Sequence, residues 1–319
     1  MARPKFLLFF ISFFSVTAVS AQNAIENYYD YEWKESTIQN ARFYSIAVNT
    51  DTGWFRRDFF INLKKLQMAG LYEDKENTIR NGTFWFFYPN GKIKSVGRYV
   101  HNKKEGLFLD YYSDGSIMDS VNYKNGNPVG ISLSWYRNGY AKDSLNADEK
   151  GNAVFVSWFD NGNPSSAGRY IEFNKPHGRW QFFHKNGQIS AVELYEAGIL
   201  KNKQYIDENG VPADTSLQGH EAQFPGGTKA WSKYLSSSLY FPRNLQLSNG
   251  YMVVVVVSAI IDADGSVTNT EVVVPADPSF DKIAVDAIKN SPVWLPAVEH
   301  NRKVSYTIQE SIEFNQSFR

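Results

Sequence analysis

The residues that could carry chemistry are few and scattered along this chain. Cysteine is absent, which excludes thiolate catalysis, disulfides and ligation of metal clusters by sulfur. No serine lies in a nucleophile elbow, and no glycine-rich phosphate loop is present. The histidines are not spaced as metal ligands, and we expect them at the surface: His101, His177, His184, His220 and His300. The sequence therefore predicts a protein that is not an enzyme, with no catalytic residues, no metal site and no cofactor.

One acidic loop, Asp262 to Gly265, has two carboxylates at the spacing of a calcium loop. It lacks the later glutamate and the further oxygen ligands of such a loop, so a hairpin turn is favoured. β-Branched strands flank it, Tyr251 to Ile261 with five consecutive valines and Thr270 to Val274. A bare strand without charge or proline would be an aggregation template, so we expect helices around Trp231 and Ile283 to cover one of its faces.

Composition and the N-terminal sequence limit which partners and which cellular compartment are expected. The formal net charge is +0, which argues against a nucleic acid or an anionic membrane held by bulk electrostatics. Arg3 and Lys5 precede an apolar stretch, residues 6–16, and Val19-Ser20-Ala21 has the small-residue pattern of a cleavage site. Residues 1–21 are therefore predicted to be a cleaved export signal. The alternative is an uncleaved anchor, although residues 6–21 are fewer than the roughly 20 residues that a spanning helix needs.

One phrase of about two dozen residues recurs from Gly82 onward, as in Gly82-TFWFFYPNG-Lys92. Alternating aromatic residues predict a half-buried strand, and Asn-Gly or Asp-Gly supplies the positive φ of a tight turn. Each unit is therefore a hairpin, and because a single hairpin is marginal in water, the units must share one continuous sheet. The turn glycines are Gly91, Gly115, Gly139, Gly162, Gly187 and Gly210.

The recurring pattern Gly-x-Trp/Phe-x-x-Tyr/Phe-x-x-Asn/Asp-Gly resembles MORN repeats, more closely their bacterial variant, over residues 72–212. An upstream copy over 54–70 lacks the turn glycine, and the tyrosine-rich residues 22–50 are expected to form a packed cap. The predicted repeat domain is thus 22–212. The resemblance implies contact with an envelope lipid, a glycan or a protein, although the aromatic residues of the motif itself are structural.

The sequence changes character after a linker at 213–221. An amphipathic helix is predicted from Thr228, its N-cap, to Leu239, and a second helix begins at Asp277. The last strand, Val304 to Phe314, alternates apolar and polar residues except at Glu310. This residue is either solvated at a bulge, which we favour, or a partner contact.

The order helix, strand, strand, helix, strand, together with Phe224-Pro225-Gly226-Gly227 and Trp294-Leu295-Pro296-Ala297, resembles the C-terminal domain of TonB over about 222–315, and the predicted domain is 222–319. The fold class expected for the chain is β-rich: a MORN-like sheet of stacked β-hairpins, then a small α+β domain with an antiparallel three-stranded sheet and two helices. The resemblance implies a periplasmic protein that binds a TonB-dependent outer-membrane transporter, or another envelope protein, by β-strand addition, related to energy-transducing transport.

The resemblance also implies which residues meet the partner, at the edge of the last strand and in the segment before the first strand. A structural envelope adaptor without energy coupling is the alternative, and strand exchange between two copies leaves a homodimer open. The predicted partner-binding residues are Tyr240, Phe241, Pro242, Val304, Ser305, Tyr306, Thr307, Ile308 and Gln309.

Overall fold

The computed structural model describes residues 24–216, 219–243, 245–246 and 252–316. The predicted export signal lies outside these residues. None of the helices found in the described part of the chain has the length and hydrophobicity needed to cross a membrane. The predicted fold class is confirmed: a long antiparallel sheet is followed by a small α+β region with a three-stranded sheet and two helices.

The long sheet, here called the repeat sheet, holds 17 strands over residues 24–213, joined antiparallel in chain order. The two-residue β9 is passed over, so that β10 pairs with β8. The strands are β1 Ala24–Tyr29, β2 Phe43–Thr50, β3 Gly53–Phe60, β4 Lys65–Tyr72, β5 Gly82–Phe87, β6 Ile93–Val100, β7 Lys103–Tyr111, β8 Ile117–Lys124, β9 Asn127–Pro128, β10 Gly130–Trp135, β11 Ala141–Ala147, β12 Ala153–Trp158, β13 Pro164–Ile171, β14 Lys175–Phe183, β15 Ile189–Glu196, β16 Ile199–Ile206 and β17 Pro212–Ala213.

The hairpin turns of the repeat sheet follow the sequence pattern. All six turn glycines have positive φ, between 84° and 91°. The upstream segment also forms a hairpin, β3–β4, in which Lys64 adopts φ 51° without a glycine. Strands β1 and β2 extend the same sheet, where the sequence had suggested only a packed cap.

One face of the repeat sheet carries an aromatic layer. The rings of Phe84, Tyr99 and Phe108 meet edge to face at centroid distances of 5.2 and 5.3 Å, a favourable aromatic geometry. The Phe108 ring lies across Gly97, where a Cβ would stand 2.3 Å from a ring carbon. The ammonium of Lys104 lies 4.8 Å from the centre of the Phe108 ring. The absence of a side chain at Gly97 therefore lets the Phe108 ring pack against the backbone.

The second region, here called the C-terminal module, comprises the described residues from 219 onward. Its sheet has the order β19-β18-β22, with two helices packed on one face. Helix α1 begins after a left-handed Gly226, so the expected N-cap, Thr228, lies inside the helix; Asp277 caps α2 as expected. The elements are α1 Gly227–Ser238, β18 Met252–Ile261, β19 Val267–Val274, α2 Pro278–Lys289, β20 Ala297–Glu299, β21 Arg302–Val304 and β22 Tyr306–Asn315.

The valine strand β18 is buried on both faces, not only on the one expected. Val255 and Val257 belong to the core beneath the helices. Val254 and Val256 belong to a second cluster, which includes Phe43 and Phe60 of the repeat sheet. The covering of the second face thus comes from the other end of the chain, which no local pattern in the sequence could indicate.

The module also touches the far end of the repeat sheet, through the hairpin of β20 and β21. Along the paired strands, β3 and β14 are ten steps apart, about 48 Å at 4.8 Å per strand. A compact module of this size is only about 30 Å across. Both ends of the repeat sheet can contact it only because the sheet bends around it.

Candidate partner-binding edge and docking hairpin

Strand β22 is an edge strand of the module. It pairs with β18 in unbroken antiparallel register from Tyr306 opposite Ile261 to Asn315 opposite Met252. Among the described residues no strand pairs with its other edge. Such an edge presents unpaired N–H and C=O groups that can accept a further strand.

The direction of the backbone groups along β22 follows from one contact. Ser258 Oγ donates to the carbonyl of Ile308 at 3.3 Å, so this carbonyl points toward β18. Backbone groups of successive residues point to opposite sides of a strand. The N–H and C=O groups of Thr307, Gln309 and Ser311 therefore point to the open edge.

The structure places most of the predicted strand residues on this edge. Ser305, Thr307 and Gln309 are exposed, Tyr306 is half-buried, and Ile308 is 8 % exposed in the core beneath the helices. Val304 is the exception, because it pairs with Ala297 in the separate hairpin. The last strand thus begins two residues later than the alternation of the sequence suggested.

The predicted segment before the first strand is only partly accessible. Tyr240 is 65 % exposed. The Phe241 ring packs on Phe280 at 5.1 Å, and Pro242 is buried. Tyr240 is therefore the residue of this segment that can meet a partner, while its two neighbours pack within the module.

Glu310 lies inside a regular strand rather than at a bulge. Its side chain is on the face that carries Ile308 and Ile312, and Trp231 Nε1 donates to its carboxylate at 3.1 Å. Burial raises the pKa of Glu310, and the bond from Trp231 opposes that rise. The favoured interpretation, a solvated residue at a bulge, is wrong: Glu310 joins β22 to helix α1.

The hairpin of β20 and β21, with its tip at His300 and Asn301, docks on the repeat sheet and is here called the docking hairpin. Both tip residues have left-handed φ, 49° and 60°. Arg302 is 9 % exposed, and its Nη1 donates to the carbonyl of Phe183 at 2.9 Å and to that of Ser165. Burial lowers the pKa of Arg302 to about 10. Its guanidinium is therefore held by backbone carbonyls rather than by a facing carboxylate.

Arg302 fills a gap in a ladder of hydrogen bonds along the repeat turns. In most repeats the aromatic residue three positions before the turn glycine donates to a carbonyl of the next repeat. At the corresponding position Phe159 has no hydroxyl, and the carbonyl that it would meet is that of Phe183, which accepts from Arg302. The regular rungs are Tyr88 Oη to Tyr111 at 2.7 Å, Tyr112 Oη to Trp135 at 2.7 Å, Tyr136 Oη to Trp158 at 2.9 Å and His184 Nε2 to Ile206 at 2.8 Å.

The tip of the docking hairpin makes a second polar contact. The His300 ring stacks on Phe182 at 3.6 Å, and its Nδ1 lies 3.0 Å from both carboxylate oxygens of the buried Glu193. Burial alone would raise the pKa of Glu193, but the hydrogen bonds from His300 and Tyr195 outweigh it and the pKa is lowered. The buried carboxylate therefore stays ionised and anchors the tip.

Two of the histidines expected at the surface are thus structural. His184 is 5 % exposed and forms a rung of the ladder, and His300 anchors the docking hairpin. Their roles were missed because each depends on a partner far away in the chain. The one local signal was Phe159, which breaks an otherwise regular run of hydrogen-bonding side chains at the turn.

Comparisons with protein families agree with this division. Residues 238–316 match the family described as Gram-negative bacterial TonB protein C-terminal. Residues 80–101, 104–125 and 176–197 match the MORN repeat variant. A search of curated proteins found no match for the chain. Both resemblances seen in the sequence are confirmed, and the C-terminal module is similar to a bacterial envelope domain that interacts with outer-membrane proteins.

Proposed function

We propose that this protein acts in the periplasm, where its C-terminal module captures an outer-membrane transporter of the TonB-dependent type, or another envelope protein, by β-strand addition. The observation that carries the proposal is the open edge of β22, where the backbone groups of Thr307, Gln309 and Ser311 point outward. An extended partner segment would pair with these groups. The N-terminal sequence supports export.

Recognition at this edge has two parts. Main-chain hydrogen bonds supply affinity that is largely independent of the partner's sequence. Side chains that alternate beside the edge, exposed at Ser305, Thr307 and Gln309, supply the choice of partner. The exposed ring of Tyr240 offers a further apolar contact.

Titration with peptides from the N-terminal box segments of outer-membrane transporters tests the capture. Thr307→Pro removes an outward N–H without touching the pairing with β18, and proline is tolerated on edge strands. Thr307→Val is the matched control because it keeps the N–H. We expect Pro, but not Val, to weaken peptide binding at least tenfold, and equal binding by the two variants would exclude strand addition at this edge.

A structural adaptor without energy coupling is the second candidate, favoured by the docking of the module on the repeat sheet through Arg302 and His300. In cells, crosslinking of the full chain to its partner separates the two. Capture by an energy transducer depends on the gradient across the inner membrane, whereas capture by an adaptor persists after that gradient is dissipated.

A further inference from the structure

A cleft lies between the C-terminal module and the repeat sheet, and it reaches the open edge. Its roof contains the cross-strand row of Glu271, Ser258 and Gln309, which spans all three strands of the module from one edge to the other. Its opposite wall includes Tyr88 and Lys94 of the repeat sheet. The cavity measures about 300 Å³, the lower limit for a small-ligand pocket. This volume suits side chains of a peptide better than a cofactor.

The two charged residues that line the cleft differ in how they are paired. Glu271 of the roof lies 3.8 Å from Arg137, which also pairs with Asp114 at 3.1 Å. Lys94 has no ion-pair partner among the described residues, and its ammonium lies 5.8 Å from the centre of the Tyr88 ring. The unpaired charge that lines the cleft is therefore positive, and it lies beside an aromatic wall. A carboxylate on a flexible aliphatic stem complements this combination.

An added strand would extend the cross-strand row by one residue. The residue that pairs opposite Gln309 lies about 4.8 Å beyond it, and its side chain is on the same face of the sheet. That face is the roof of the cleft. The side chain would therefore enter the cleft from its open side, where the repeat sheet forms the opposite wall.

We propose that the repeat sheet takes part in choosing the partner, and that Lys94 selects a strand with an acidic side chain opposite Gln309. This inference rests on the proposed strand addition. The repeat sheet then does more than support the module. The module supplies the pairing edge, and the repeat sheet supplies a wall of the pocket that recognises the partner's side chain.

A scan of peptides tests the inference without knowledge of the pairing register. The probe is the box peptide that binds most tightly, with its acidic residues made neutral and one glutamate placed at each position in turn. We expect one position to raise affinity about tenfold, a gain that falls at high salt. Lys94→Glu should remove the gain in affinity and favour a lysine at the same peptide position. Lys94→Met should remove the gain without favouring lysine. Lys201→Glu, the same change at another exposed lysine, should have no effect.

The outcomes distinguish the two proposals. A flat scan, or a gain that survives Lys94→Glu, overturns the selection by Lys94 but leaves strand addition standing if Thr307→Pro, unlike Thr307→Val, still weakens binding at least tenfold. Failure of every peptide to bind, with Thr307→Pro and Thr307→Val alike, overturns both.

Discussion

Two parts of the ladder of hydrogen bonds along the repeat turns differ in which residue donates the bond. In the early repeats the hydroxyls of Tyr88, Tyr112 and Tyr136 bond to the next repeat, so each unit fixes its neighbour. At Phe159 the hydroxyl is missing, and Arg302 from the C-terminal module makes the bond instead. The regular part stabilises the sheet. The irregular part determines where the module docks.

The comparison shows how a repetitive surface can acquire a unique position. Equivalent repeats offer equivalent docking sites, so a module could slide along them without a defined register. A single change from tyrosine to phenylalanine leaves one carbonyl without its usual donor, and a buried polar group without a partner is unfavourable. The guanidinium of Arg302 satisfies that carbonyl and lies 5.4 Å from the Phe159 ring. Docking at one repeat is thereby favoured over its neighbours.

Arg302→Ala should have the largest effect on the docking of the hairpin. It removes the bonds from a charged donor to the carbonyls of Phe183 and Ser165, about 3 kcal/mol together at the lower end for such bonds. Amide hydrogen exchange over 297–304 should show a local opening free energy that is lower by this amount. Unchanged protection of these amides would show that Arg302 does not hold the hairpin.

Phe159→Tyr should turn the irregular repeat into a regular one. The new hydroxyl would compete with Arg302 for the carbonyl of Phe183, and the hairpin should lose about 2 kcal/mol of protection against exchange. The strands around Phe159 should keep their protection against exchange, because the new hydroxyl makes the bond to the carbonyl of Phe183 from within the repeat sheet. Equal loss in the strands and in the hairpin would mean that the tyrosine merely disrupts packing.

Acid should release the tip of the hairpin. Because the pKa of Glu193 is lowered in the folded protein, its contribution to stability is complete above its ordinary value of 4.5 and is lost as the pH falls through the lower folded value. Hairpin protection should therefore decline on acidification below that value. Glu193→Gln should remove this pH dependence, and a decline of the same size in the variant would assign it to another group.

Tyr112→Phe should have the smallest effect on stability, and it tests whether a regular rung acts independently of the docking hairpin. It deletes one regular rung, to the carbonyl of Trp135, and should lower the stability of the neighbouring strands by about 1 kcal/mol. The docking hairpin should be unaffected, as measured in the same exchange experiment. A response of the hairpin would show that the ladder acts as one cooperative unit.

The fold of each region was predictable from the sequence, but the contact between the repeat sheet and the C-terminal module was not. Periodic turn glycines and alternating aromatics predicted the hairpins, since those signals are local, and Asp277 marked the start of α2. The second cover of Val254 and Val256 was hidden, because Phe43 and Phe60 are about two hundred residues away. Glu310 was misjudged for the same reason: its partner, Trp231, lies on another element.

The candidate site was predictable in part. The resemblance to the TonB C-terminal domain implied that the last strand is an edge that meets the partner. The structure shows that edge free of any strand among the described residues, with Thr307 and Gln309 exposed. Burial of Pro242 and the separate pairing of Val304 could not be foreseen, since both depend on tertiary packing. Phe159 was visible as an irregularity, but its meaning required Arg302.

Docking of the C-terminal module on the repeat sheet is the central claim, and a distance between the two regions tests it most directly. The chain has no cysteine, so spin labels can be placed at Glu208→Cys in the repeat sheet and Lys289→Cys at the end of α2, both exposed. Pulsed dipolar spectroscopy should give one narrow distance distribution that broadens when Arg302→Ala is added. A broad distribution in the chain that keeps Arg302 would contradict the account.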